Sequence, residues 1–167
     1  MYFGLFIPSQ AVGASLVYFD VYNAGPNLYD VHSCMPVVDG STAVVGAVAI
    51  NLYLTRTSAI GTGGTAATMN GTSLTAATFS GLNNSQALDG TLTARLTPTG
   101  GATAGAVLSW RSVFGEETNA GAYTPNDLIL PNSPPIVVGP SSGIRVVQSS
   151  VASAGNVGFQ LILRQTR

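Results

Sequence analysis

Between Val48 and Thr55 the apolar residues fall on every second position. Val48, Ile50, Leu52 and Leu54 share one face of an extended chain, and Ala49, Asn51, Tyr53 and Thr55 share the other. That alternation predicts a half-buried antiparallel strand over Ala47–Arg56. Leu108–Phe114 predicts a second strand, with Leu108, Trp110 and Phe114 turned inward, and Val157–Arg164 a third, with Phe159, Leu161 and Leu163 inward. Denser runs of aromatic and β-branched residues predict further strands at Ser15–Tyr22, Tyr29–Val38, Leu74–Phe79, Leu92–Leu96, Ile136–Val138 and Ile144–Gln148. Turn clusters separate them, at Asn23–Asn27 and again at Asp39-Gly40-Ser41.

No segment carries a helical stripe with caps at both ends, and the abundance of Gly, Thr and Ser makes a long helix costly. About eight short strands predict an all-β fold, a jelly-roll-like antiparallel β-sandwich. Gly61–Ala67 and Thr97–Gly105 read as loops. The proline-rich stretch Gly115–Pro135 reads as a crossover between two sheets, as Greek-key winding requires. The apolar start reads as a first strand or as an N-terminal arm, residues 1–14, laid across a neighbouring subunit, and 15–167 as a single sandwich domain.

Composition sharpens the picture in one respect. Only 8% of the 167 residues are charged, against about 25% in ordinary globular domains. There is no lysine, the net charge is −1, and hydrophobic residues make up 46%. Such a surface repels its own copies weakly and tolerates close contact with another neutral surface. The arginines (Arg56, Arg95, Arg111, Arg145, Arg164 and Arg167) are scattered, so no basic run exists to neutralise consecutive phosphates, and no nucleic acid is expected as a partner. No stretch approaches the roughly 20 apolar residues of a membrane-spanning helix, and no membrane partner is expected. The apolar opening lacks the basic start of a signal peptide, and a lone cysteine marks no oxidising compartment, which together favour an intracellular origin.

Reactive groups are few. His32 and Cys34 stand two apart on a predicted strand and would share a face, which suggests a Cys/His pair, but nothing orients the histidine. A small core thiol beside a surface imidazole is the simpler account. One His and one Cys fall short of a zinc ligand set. Glu116 and Glu117 are the only adjacent carboxylates and read as a solvated loop tip that binds a partner arginine or a cation at most. Gly61-Thr62-Gly63-Gly64 lacks the Lys-Ser/Thr ending of a phosphate loop and reads as a flexible β-loop. The sequons at Asn70 and Asn83 read as chance matches. No catalytic residue, cofactor or metal is expected. Tyr53, on the polar face of its strand, is the best exposed aromatic. With Tyr2, Phe3 and Phe6 of the arm and with Glu116, Glu117 and Tyr123 of the crossover, it makes up the candidate interface.

The stretch Ile50–Ala66, a strand ending in Arg56-Thr57-Ser58 that runs into a Gly-Thr-Gly-Gly-Thr-Ala loop, resembles jelly-roll proteins of tailed phages. So does Pro135–Val146, a strand, a Gly-Pro-Ser-Ser-Gly turn and a strand, followed by the final strand Val157–Arg164. These stretches cover the middle and the last quarter of the chain, and their motifs encode turn chemistry, not reactive groups. The resemblance implies a structural virion protein on the phage head, made in the host cytoplasm. It further implies a capsid decoration or cement protein that acts as a homo-oligomer, a trimer by preference, bound to the major capsid protein. The alternative it leaves is a receptor- or glycan-binding module of a tail fibre or baseplate. A hydrolase would need distant acids gathered in a cleft.

Overall fold

The computed structural model describes residues 2–39, 48–67, 92–101, 104–115 and 127–166. The expected strand at Leu74–Phe79, the two sequons, Arg167 and the interface candidates Glu116, Glu117 and Tyr123 lie outside the described residues.

Among the described residues ten strands form in chain order: β1 (Tyr2–Ala11), β2 (Val17–Asn23), β3 (Leu28–Asp39), β4 (Val48–Thr57), β5 (Thr65–Ala66), β6 (Leu92–Leu96), β7 (Ala104–Gly115), β8 (Ile136–Val138), β9 (Ser142–Gln148) and β10 (Asn156–Thr166). They build two antiparallel sheets, a four-stranded one in the order β1-β10-β3-β8 and a six-stranded one in the order β5-β6-β2-β9-β4-β7. The protein is all-β, a two-sheet sandwich, and the described residues include no helix.

The pairing is nested. β1 pairs with β10, β2 with β9, β3 with β8 and β4 with β7. Successive rungs of this long double strand alternate between the two sheets, so each link from β1 to β4 and from β7 to β10 crosses the sandwich. The crossover expected within 115–135 is one of these links. β5 and β6 lie between β4 and β7 in the chain and extend the larger sheet beyond β2.

Alternation decides what the core contains. Ile50, Leu52 and Leu54 of β4 and Phe159, Leu161 and Leu163 of β10 point between the sheets and are buried, as their spacing predicts. Tyr18, Phe19 and Phe159 pack their rings together at the centre, with centroids 5.1 and 5.5 Å from Phe159.

The first strand decides between the two readings of the apolar start. Residues 2–11 are an edge strand of the four-stranded sheet and not a free arm. Phe3, Leu5 and Ile7 each retain 2% exposure or less, so Phe3 belongs to the core and is withdrawn from the interface set. Pro8 and Ser9, which break the apolar run in sequence, form a bulge, with the register stepping from Ile7↔Phe159 to Gln10↔Val157. The strand bends there and does not end.

Two further departures share that cause. His32 is an extra residue in β3, since Leu163 faces Val31 and Ile162 faces Ser33. The bulge shifts the phase: Val31 and Cys34 both point inward, and His32 is exposed. His32 and Cys34 therefore lie on opposite sides of the sheet. In β7 the regular ladder sets Val113, Arg111 and Ser109 opposite Ile50, Leu52 and Leu54, on the inner face. Trp110 then points outward with 58% of its surface exposed, contrary to its inward reading, while Leu108 packs against the core as its reading has it.

Candidate assembly surfaces

The outer face of the four-stranded sheet is apolar along its middle. Phe6, at 67% exposure, heads a cross-strand row that continues through Gln160 on β10 to Met35 on β3. Half-buried Ile162 and exposed Val37 flank that row on the same face. At one end a second row runs Tyr2, Arg164, Asp30. Arg164 Nη2 donates to Asp30 Oδ2 at 2.5 Å, and Tyr2 packs edge to face against His32 with centroids 5.1 Å apart. The guanidinium's charge is thus answered within the sheet, and Tyr2 is anchored instead of projecting as an arm.

The second surface lies on the outer face of β4 and β7. Tyr53 stands opposite Trp110, Thr55 opposite Val107, and Asn51 opposite Ser112. Trp110 and Val107 are exposed, Tyr53 is half-buried, and Val147 of β9 continues the row beyond Tyr53. Ser112 Oγ hydrogen-bonds Asn51 Oδ1, which ties the edge strand to its neighbour. Aromatic residues set among small neutral ones make up the centre of many protein interfaces.

Further along the same outer face, toward β2, a covering loop encloses the polar chemistry. On the larger sheet a row crosses four strands: Arg95 on β6, Asp20 on β2, Arg145 on β9 and Thr55 on β4. Asp20 has no solvent exposure, and Arg145 has 5%. The loop carrying Gly61 closes over them: Gly61 N donates to Asp20 Oδ2 at 2.7 Å, and Thr62 bonds Gly100 through both backbone directions. Far from being a flexible loop, this segment is pinned, with Gly63 and Gly64 held at φ of 69° and 61°. Burial raises the Asp20 pKa above its ordinary value, and the Gly61 N–H and the charge of Arg145 pull it part of the way back. This carboxylate holds a loop shut and faces no cleft.

Asp127 does similar work at the other sheet. Its carboxylate accepts from Cys34 N at 2.9 Å, Ile129 N at 2.8 Å and Ser33 Oγ at 2.5 Å, seating Leu128 in the core beside the β3 bulge. Burial, and secondly the charge of Asp127, push the Cys34 thiol well above its usual pKa. A nucleophilic cysteine needs the opposite shift. Among the described residues no three His, Cys, Asp or Glu side chains gather as metal ligands. An open cleft of about 390 Å³ lies where Arg56, Thr57 and Ser58 meet Ala104, Gly105, Ser141 and Ser142. The Arg56 guanidinium there donates to Val137 O on the other sheet and so clasps the two sheets together.

Of the interface candidates, the structure places Phe6 and Tyr53 on outward faces, Tyr2 at the polar end of the first face, and Phe3 inside. It adds Trp110 and Val107, which the bulge in β7 concealed from any reading by strict alternation. No protein-family model, curated protein or solved structure matches the chain.

Proposed function

We propose that the chain is a structural subunit of a virion, a decoration or cement protein that stabilises a phage head through neutral contacts. The observation that carries this reading is the pair of apolar, nearly uncharged outer patches, one centred on Phe6 and the other on Trp110, on opposite sides of one sandwich. A monomer in free solution gains nothing from exposing a tryptophan, a phenylalanine and flanking aliphatics on both faces. A subunit held between a shell and its own neighbours gains contact area on each side, and repeated attachment multiplies modest single affinities.

The nested pairing supports the same reading, because two sheets wound from one long double strand are the architecture of a jelly roll, common in capsid proteins. On this reading the partners are the major capsid protein and further copies of the chain. Immunogold labelling of particles from the source of this sequence tests it, with label expected over heads. Label over tails, or none on intact particles, overturns it.

One observation favours a second reading. Trp110 beside Tyr53 forms an exposed aromatic platform of the kind on which sugar rings stack. That reading makes the chain a glycan-binding module of a tail fibre or baseplate. It expects label over tails and quenching of Trp110 fluorescence by cell-wall oligosaccharides.

A further inference from the structure

A sheet edge left bare invites pairing with another strand, and folded proteins blunt their edges by shortness, proline, bulges or charge. Among the described residues the two sheets have four edges, and three of them are blunted in those ways. β1 carries Pro8 and a bulge, β5 has 2 residues, and β8 has 3. The fourth, β7, runs for 12 residues from Ala104 to Gly115 with no proline, lysine or acid, and Arg111 is its sole charge. Its irregularities fall in the first half, where the register with β4 shifts around Thr55; from Ser109 to Gly115 the ladder is unbroken. Among the described residues nothing pairs with its outer side.

We propose that β7 pairs antiparallel with β7 of a second copy across a two-fold axis at Ser112, joining two six-stranded sheets edge to edge. The proposal deepens the assembly reading by naming one partner. Two identical strands laid antiparallel close on themselves, so the contact yields a finite dimer. Residues facing each other across a ladder must lie on the same face of the sheet. The register centred on Ser112 meets that condition and uses the whole regular stretch. It sets Ser109 opposite Gly115, Trp110 opposite Phe114 and Arg111 opposite Val113, so neither copy's arginine faces its own image. With a net charge of −1 the two chains have little repulsion to overcome.

The axis supplies the test. Residues directly opposite in an antiparallel ladder have Cα atoms about 4.5–5.5 Å apart, within the span of a disulfide. The native thiol, Cys34, is buried, so the variant Ser112→Cys exposes a single cysteine at the axis. Mild oxidation is expected to link it into dimers at concentrations where Ser150→Cys, exposed but away from β7, stays unlinked. Sedimentation of the unaltered chain is expected to give twice the chain mass. Ser112→Lys, which sets two like charges face to face, is expected to weaken the dimer about fivefold or more with an unchanged circular dichroism spectrum. A one-chain mass at every concentration overturns the proposal. So does a larger assembly in which Ser112→Cys links no better than Ser150→Cys. A chain that labels heads but sediments alone overturns the dimer and leaves the virion reading standing; a linked dimer absent from particles does the reverse.

Discussion

Asp20 and Arg145 face each other across β2 and β9 with Oδ2 and Nη2 3.7 Å apart, and both side chains are closed to water. Removing Arg145 leaves the buried Asp20 carboxylate with only the Gly61 and Arg95 backbone N–H groups and the charge of Arg95 to answer it, which costs up to about 3 kcal/mol at neutral pH. Arg145→Leu is expected to lose that much in urea unfolding at pH 7. The loss also depends on pH. Desolvation already holds the folded pKa of Asp20 above its ordinary 3.8, and losing the arginine raises it further. A carboxyl whose folded pKa exceeds its unfolded value contributes stability below the unfolded value and loses it as pH rises through the folded one. The variant's deficit should therefore be large at pH 7 and shrink below pH 3.8, where Asp20 is protonated in both states. A deficit that stays constant with pH would show that Asp20 is not the group left stranded.

Gly61 closes the loop above that pair, and its place admits no side chain. A Cβ there would sit 2.5 Å from Pro98 Cβ and 2.6 Å from Asp20 Oδ2. Gly61→Ala is expected to cost about 1–3 kcal/mol, the usual penalty of overpacking. Gly139→Ala, whose added carbon meets nothing closer than 3.7 Å, should be near neutral. Paired urea titrations of the two variants check the contrast.

Tyr18 donates its hydroxyl to Gln148 Oε1 at 2.6 Å inside the sandwich, and the same oxygen accepts Gly13 N at 3.0 Å. Tyr18→Phe deletes one bond but leaves the acceptor a partner, so a loss of about 1 kcal/mol is expected. Burial raises the Tyr18 pKa above its ordinary 10.0. Stability tied to that proton is intact below pH 10.0 and declines as pH rises toward the folded value. Unfolding followed into the alkaline range should show this decline in the native chain and a shallower one in Tyr18→Phe.

Cys34 has no exposed surface, and its thiol is held neutral by burial. A disulfide reagent should leave it unmodified in the folded chain and label one thiol per chain after urea is added. Prompt labelling in the folded state would mean that β3 opens at the bulge.

How much of this was legible beforehand follows from how far each feature reaches along the chain. The strands β4 and β10 announce themselves because their alternation is unbroken, and β8 falls at Ile136–Val138 as its composition predicts. Phase was lost wherever one extra residue entered a strand, at His32 and near Leu108, because period-two reasoning carries a single parity error through every later position. The sequence leaves arm and first strand open at the start for a related reason: Pro8 looks like an end but marks a bulge at an edge, where proline is tolerated. The row Arg95, Asp20, Arg145 could not be foreseen at all. Its members come from three strands far apart in sequence, and only the pairing of β2 with β6 on one side and β9 on the other sets them side by side.

Trp110 separates the two phases of β7 most sharply. In the inward reading it is a core anchor, and truncating a buried tryptophan to alanine costs about 3–5 kcal/mol. In the structure it is 58% exposed beside Tyr53, and a surface truncation of that kind stays within about 0.5 kcal/mol. Trp110→Ala is therefore expected to leave the urea midpoint almost unmoved. Its fluorescence offers an independent check, since it is the chain's one tryptophan. Emission from dilute protein should be red-shifted and readily quenched by acrylamide. It should shift to the blue, with quenching suppressed, as concentration drives the outer face of β7 into contact. A tryptophan shielded from quencher at every dilution, in a variant that unfolds far more easily, would return Trp110 to the core and remove the aromatic centre of the second surface.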